Sequence, residues 1–180
     1  IILRFVCHDP RPFKVLYASL CPFLTGFFTG DTNLTMLLSI RHGSESLGIR
    51  RRTNAVTFPI FSIFARGGSA MMTSICFVVI LRTYSTLAIS FSDAMWILLI
   101  SFALSFALGG FATGGPFIAL TIMCTMYGRG FASGYLLLRT ASPIICAASC
   151  ALDAITAMFG SYLIAVKTRT IDHRALKQFI

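Results

Sequence analysis

The sequence has few charged residues and very few acidic ones. Of its 180 residues, 12% are charged and only six are Asp or Glu, whereas 56% are hydrophobic. In an ordinary soluble domain about a quarter of the residues carry a charge. This composition excludes a soluble globular protein and favours a membrane protein.

Cysteine and histidine are sparse and form no recognisable cluster. The six cysteines lie in apolar segments, without a Cys-x-x-Cys pair and without ligand spacing to the three histidines. We therefore predict neither disulfides nor a metal centre. The sequence also lacks a nucleophile-base pair or paired carboxylates, so we predict that the protein is not an enzyme and has no cofactor.

The net charge of +9 does not indicate binding of nucleic acid. The basic residues stand at the ends of apolar runs, and no basic patch with interleaved aromatic residues is present. This arrangement is typical of loops that face the cytoplasm and anionic lipid.

Two apolar stretches are broken by glycine, at residues 65–69 and 108–116. A bilayer leaves no water for broken backbone, which therefore occurs there only inside protein or beside a cavity. In transporters such breaks hold substrates and ions. The two breaks therefore indicate a membrane transporter.

The segment lengths predict an all-α membrane protein with two re-entrant helical hairpins. A membrane-spanning helix needs about 20 apolar residues. The apolar arms on either side of two tips, one polar and one rich in glycine, are shorter than that. We expect a first re-entrant hairpin at 11–47, an unwound transmembrane helix at 53–82, a second re-entrant hairpin at 93–127, a last, charged transmembrane helix at 134–167, and a cytoplasmic tail at 168–180.

Several motifs resemble the dicarboxylate/amino acid:cation symporter family, which includes the glutamate transporters. The Ser-Leu-Gly-Ile stretch at 46–49, followed by Arg51, Arg52 and Pro59, is similar to the family's Asn-Leu-Gly-Val-Ser-Arg-Arg stretch and its later proline. Residues 65–70, Ala-Arg-Gly-Gly-Ser-Ala, fall where the family has Asn-Met-Asp-Gly-Thr-Ala.

This resemblance implies a secondary active transporter that symports a dicarboxylate or related organic anion, or an acidic amino acid, with a cation. Residues 1–180 would form part of its transport domain, and a homotrimer is implied if the scaffold half exists. Two alternatives stay open. The chain is a truncated or degenerate remnant that does not transport, or a membrane subunit that pairs with a separate scaffold half.

The distribution of Lys and Arg predicts a multi-pass protein of the cell (inner) membrane with a cytoplasmic C-terminus. Three basic residues, Arg82, Arg129 and Arg139, lie on one predicted side. The other side carries eleven, which the positive-inside rule makes cytoplasmic. These are Arg4, Arg11, Lys14, Arg41, Arg50, Arg51, Arg52, Lys167, Arg169, Arg174 and Lys177.

Helix N-termini at the hairpin tips favour binding of carboxylates. The family resemblance implies further substrate-binding positions on the last helix. Asp31 brings a negative charge to the first tip. Ser142 stands where amino-acid carriers of the family have the aspartate that receives the substrate's amino group, which favours a dicarboxylate. The candidate substrate-binding residues are Thr32, Asn33, Arg66, Gly110, Thr113, Ser142 and Ser149.

For the cation, the resemblance implies the carbonyls near Phe61 and Ala65 together with Ser149 and Asp153. The family's asparagine and aspartate ligands in the broken helix are Ala65 and Gly67 here, so two side-chain ligands are missing. The coupling ion is therefore left open between Na⁺ and H⁺.

Arg66 and Asp153 are the two charges predicted within the membrane, where an ionised group is costly and commonly functional. We expect the Arg66 guanidinium to face a carboxylate of the substrate. The alternative is an ion pair with Asp153 that serves only folding, and Asp153 is also a candidate capping acceptor.

Overall fold

A computed structural model describes residues 12–64, 66–84, 90–128 and 133–171. The regular secondary structure of these residues is helical, apart from an isolated β-bridge between Ile49 and Ile171. The elements are α1 (Pro12–Thr29), α2 (Thr32–Glu45), α3 (Arg51–Phe64), α4 (Gly67–Tyr84), α5 (Phe91–Ala107), α6 (Gly115–Tyr127), a 3₁₀ helix (Gly134–Leu138) and α7 (Ser142–Lys167). Residues 1–11, Ala65 and 172–180, which include parts of the expected first hairpin and tail, lie outside the described residues.

Helices α1 and α2 pack against each other on either side of a two-residue turn. Gly30 in that turn has φ +61°, a left-handed conformation that glycine adopts without strain. Asp31 is the N-cap of α2, and its Oδ1 accepts the Asn33 N–H at 2.7 Å. The acidic residue that the sequence places at an anion-binding tip therefore starts a helix.

The third apolar run is interrupted, since α3 ends at Phe64 and α4 begins at Gly67. Taken across this break, Arg51–Thr83 is long and apolar enough to cross a membrane. Ser142–Lys167 also meets that condition. These two segments agree with the membrane class that composition predicts.

The second pair of arms, α5 and α6, is joined by the glycine-rich turn. Gly114, with φ +77°, is the N-cap of α6, and Pro116 follows in its first turn, where a missing N–H costs nothing. Before α7 the structure differs from the expected continuous helix from residue 134. Gly134–Leu138 form a 3₁₀ helix, and Pro143 marks the start of α7.

Two apolar clusters stabilise the fold at opposite ends of α7. Ile145, near its start, packs with Phe77, Ile80 and Leu120, while Met158 and Tyr162, near its end, belong to a cluster around Phe58. The helix turns between the two clusters carry buried Ser149 and Asp153. A buried polar layer therefore separates the clusters, and the helix breaks lie in this layer.

Candidate functional site

Arg66, in the break between α3 and α4, is the centre of the polar layer and is only 5% exposed. Its Nε donates to the Ser62 carbonyl at 3.1 Å. Its Nη2 donates to the Phe111 carbonyl at 2.7 Å and to Thr32 Oγ1 at 3.2 Å. The guanidinium therefore joins the broken helix to both hairpin turns.

The two turns also contact each other directly. The Thr32 N–H and the Thr32 hydroxyl both donate to the Ala112 carbonyl, each at 3.1 Å. Nearby, the Ser105 hydroxyl donates to the main-chain carbonyl of Arg66 at 2.7 Å. Backbone and hydroxyl groups from three elements thus close the site around the guanidinium.

The charge of Arg66 has no carboxylate partner among the described residues. In the part of the chain that the structure describes, the ion pair that forms joins Arg41 to Glu45 on the surface of α2. The Arg66–Asp153 pair considered from the sequence is therefore not formed. All its hydrogen-bond acceptors are neutral, and burying a cation without a directly paired carboxylate is costly in free energy. Such a group creates a strong preference for an anion.

One nitrogen of the guanidinium is left without a hydrogen bond to the described residues. Within the described part of the chain, Nη1 makes no hydrogen bond, and a Cβ placed on Gly115 would lie 3.4 Å from it. Gly115 is the first residue of α6, where the helix dipole adds a partial positive charge. Nη1 and the α6 N-terminus together offer a carboxylate two complementary partners.

Asp153 faces the other side of the break. Its Oδ1 accepts the Ser69 N–H at 3.1 Å, and its Oδ2 accepts the Ser69 hydroxyl. Ser69 lies in the first turn of α4, so the carboxylate caps that helix from α7. The capping alternative named for Asp153 therefore matches its contacts, and each oxygen retains a lone pair for a cation.

The close approach of α4 and α7 depends on Gly68. A Cβ at this position would lie 2.5 Å from Leu152 Cβ and 2.7 Å from the Asp153 amide nitrogen. Glycine is required here because a neighbouring backbone occupies the space that a side chain would need.

The other predicted substrate residues divide into two groups. Asn33, Gly110 and Thr113 lie at the hairpin turns and are exposed. On α7, Ser149 is buried one turn from Asp153, and its hydroxyl donates to the Cys146 carbonyl. Ser142 is the first residue of this helix and lies about 16 Å from Asp153 along the helix axis. Ser142 is therefore not brought together with the Arg66 cluster.

Of the residues predicted to bind a cation, one, Ala65, lies outside the part of the chain that the structure describes. Phe61 is in the last turns of α3, where its ring packs near Gly160. Small cavities border the break on both sides. One is lined by Thr32, Ser62 and Asp153 among others, and a second lies beside Arg66, Ser69 and Gly115.

Sequence reasoning missed four groups of the site: the carbonyls of Ser62, Phe111 and Ala112, and the Ser105 hydroxyl. A main-chain carbonyl carries no residue signature, so no pattern could have identified the first three. Ser105 is one of two buried serines on α5, four residues from Ser101. These two serines form a polar stripe on an otherwise apolar helix, and this stripe is the sequence signal that could have identified Ser105.

Comparison with known proteins gives one match. The sequence model of the sodium:dicarboxylate symporter family matches residues 1–167 of the chain. Searches of curated proteins and of solved structures found no match. The matched range contains every contact described for Arg66 and Asp153.

Proposed function

Since the chain belongs to the sodium:dicarboxylate symporter family, we propose that it is the substrate-binding part of a secondary transporter. The family implies transport of a small organic anion across a membrane, and the apolar helices agree with that location. We assign a dicarboxylate as the substrate class and a cation as the co-transported ion. The arms α1–α2 and α5–α6 act as re-entrant hairpins in this proposal.

The observation that carries the proposal is the buried Arg66 guanidinium without a carboxylate partner in the described chain. A carboxylate of the substrate would bind Nη1 and the N-terminus of α6. It would supply the missing negative charge, and a charge-assisted hydrogen bond is stronger than one to a neutral acceptor. Thr32 then lies beside the guanidinium, and the exposed residues Asn33, Gly110 and Thr113 lie at the rim of the site.

No acidic side chain bonds to Arg66 in the described chain, and this favours a dicarboxylate over an amino acid. An amino acid brings an ammonium group, which needs a carboxylate or several acceptors. At Ser142, Ser149 and Thr32 the chain supplies only hydroxyl groups. We therefore expect succinate and malate to bind more tightly than aspartate or glutamate.

The wider assembly is also part of the proposal. We infer a multi-pass protein of the cell (inner) membrane, with the loop at 46–50 and the end of α7 on the cytoplasmic side, as the Lys and Arg distribution predicts. A homotrimer is the assembly expected if a scaffold half accompanies the chain. Asp153, Ser149 and the carbonyls at Phe61 and Ala65 remain the proposed cation ligands.

Binding and uptake measurements test the proposal. The chain is placed in lipid nanodiscs and titrated with succinate, malate, aspartate and glutamate, and uptake of labelled succinate into proteoliposomes is measured with and without a sodium gradient. Replacing Arg66 by Met should abolish succinate binding. Replacing the exposed Arg82 by Met removes the same charge outside the site and should leave binding unchanged. Undiminished succinate binding by Arg66→Met would overturn the assignment.

A further inference from the structure

The acceptors of Arg66 form the kind of oxygen cluster that binds an alkali cation. They are the carbonyls of Ser62 and Phe111 and the hydroxyl of Thr32, all neutral, and they come from three separate elements. Carbonyl and hydroxyl oxygens at broken helices are the ligands that hard cations use. Here a guanidinium attached to the chain occupies that position.

Helix ends of both signs lie close to Arg66. The Ser62 carbonyl belongs to the last turn of α3, and Phe111 lies four residues after the end of α5. The C-terminus of a helix carries a partial negative charge, so the end of α3 favours a cation at this point, whereas the N-terminus of α6 beside Gly115 opposes one. The acceptors in direct contact with the charge are the neutral oxygens of Ser62, Phe111 and Thr32.

The Arg66 guanidinium also connects the two hairpin turns, which share few other hydrogen bonds in the described chain. Apart from Arg66, the link described between the first and second turns is the pair of bonds from Thr32 to the Ala112 carbonyl. Arg66 Nη2 bonds to both turns at once. A mobile ion bridging these oxygens would perform the same task.

We propose that Arg66 is a built-in cation that closes the two hairpin turns, so that closure does not require sodium. The chain lacks side-chain oxygens at Ala65 and Gly67 for a mobile ion, and the guanidinium already fills the adjacent oxygen cluster. This inference rests on the proposed function for the meaning of closure as a step of transport. The contact between the turns is made by groups of the chain itself.

The distance between the turns measures closure directly. Nitroxide labels are attached at Leu34 and Phe111, whose side chains are about half exposed, by a ketone-bearing residue that leaves the native cysteines untouched. The Phe111 main-chain carbonyl is preserved. Pulsed electron paramagnetic resonance in nanodiscs then gives the distance distribution in sodium chloride and in choline chloride of equal ionic strength, without any dicarboxylate.

The unmodified sequence should give the same narrow, short distance in both salts. In choline chloride, Arg66→Met should lower the ratio of closed to open molecules by about tenfold or more, because it removes charge-assisted bonds to both turns. Arg82→Met is the matched control and should leave the distribution unchanged. Thr32→Val, which removes one acceptor and keeps the charge, should give an intermediate loss.

Two results would overturn the proposal. One is a short distance in the unmodified chain that appears only with sodium, a comparison that needs no variant and so does not depend on how a variant folds. The other is an Arg66→Met distribution in choline chloride as narrow and short as the original. Because no dicarboxylate is present, failure of succinate binding leaves this inference standing, and sodium-dependent closure with intact succinate binding would overturn this inference alone.

Discussion

Thr32 binds Ala112 through two donors, since its main-chain N–H and its hydroxyl both reach the Ala112 carbonyl at 3.1 Å. These residues are 80 positions apart in the chain and lie at the two hairpin turns. The hydroxyl also accepts a hydrogen bond from Arg66. One small side chain thus joins both turns and the broken helix.

We expect Thr32→Val to loosen this contact while leaving the fold intact. Valine has a similar shape but no hydroxyl, so the N–H bond remains and about 1 kcal/mol of interaction is lost. Amide exchange at residue 32 should become about fivefold faster in hydrogen-exchange mass spectrometry. Thr32→Ser retains the hydroxyl and is the control. Equal exchange in Val and Ser variants would contradict the role of the hydroxyl.

Alanine substitutions at Gly67 and Gly68 should differ sharply in stability. At Gly68 a Cβ would meet Leu152 and the Asp153 backbone, and we expect a loss of roughly 1–3 kcal/mol from overpacking. At Gly67 the nearest atom is a Thr156 methyl at 3.6 Å, so the change should stay within about 0.5 kcal/mol. Unfolding in mixed detergent measures both. Similar losses at the two positions would show that the α4–α7 contact is looser than described.

Asp153 variants separate the capping role from a cation role. Asp153→Ala leaves the buried N–H and hydroxyl of Ser69 without an acceptor, which should cost roughly 1–3 kcal/mol of the free energy of unfolding. Asp153→Asn keeps an acceptor oxygen and should cost less. If the carboxylate only caps α4, neither loss depends on sodium concentration. A sodium-dependent stability in the unmodified chain that disappears in Asp153→Asn would instead favour cation binding.

Asn54 should be essential for the packing of α2, α3 and α7. It is fully buried, its Nδ2 donates to the Ile40 carbonyl and to Ser44 Oγ, and its Oδ1 accepts from Ser161. Asn54→Ala removes three hydrogen bonds, at an expected cost of roughly 2–3 kcal/mol. Arg52→Ala, an exposed change two residues away on the same helix, is the control in the same unfolding measurement. A loss no larger than that of the control would show that these bonds contribute little.

The all-helical membrane class could be predicted from the sequence because it depends on local composition. Long apolar runs and scarce charge leave helices as the structure that satisfies the backbone in lipid. The glycines also predict an interruption at 65–69, but the break lies just before them, and Gly67 and Gly68 are the first residues of α4. The family resemblance is confirmed by the match over residues 1–167. It could be predicted because short motifs can be recognised in a single sequence.

The chemistry within the site was harder to predict because it depends on partners distant in sequence. Ser69 and Asp153 are 84 residues apart, and no periodicity connects them. Asp31 was interpreted as a negative charge facing substrate, although aspartate is a preferred N-cap residue and here begins α2. The carbonyls that surround Arg66 become visible only once the backbone is folded.

The neighbours of α7 have a mechanical consequence. This helix packs against α1, α2, α3, α4 and α6, whereas α5 rests mainly on α4 and α6. Most of the fold is therefore held together through one central helix. The arm Phe91–Ala107 packs mainly on other helices, so its displacement would leave the main contacts of the central helix in place.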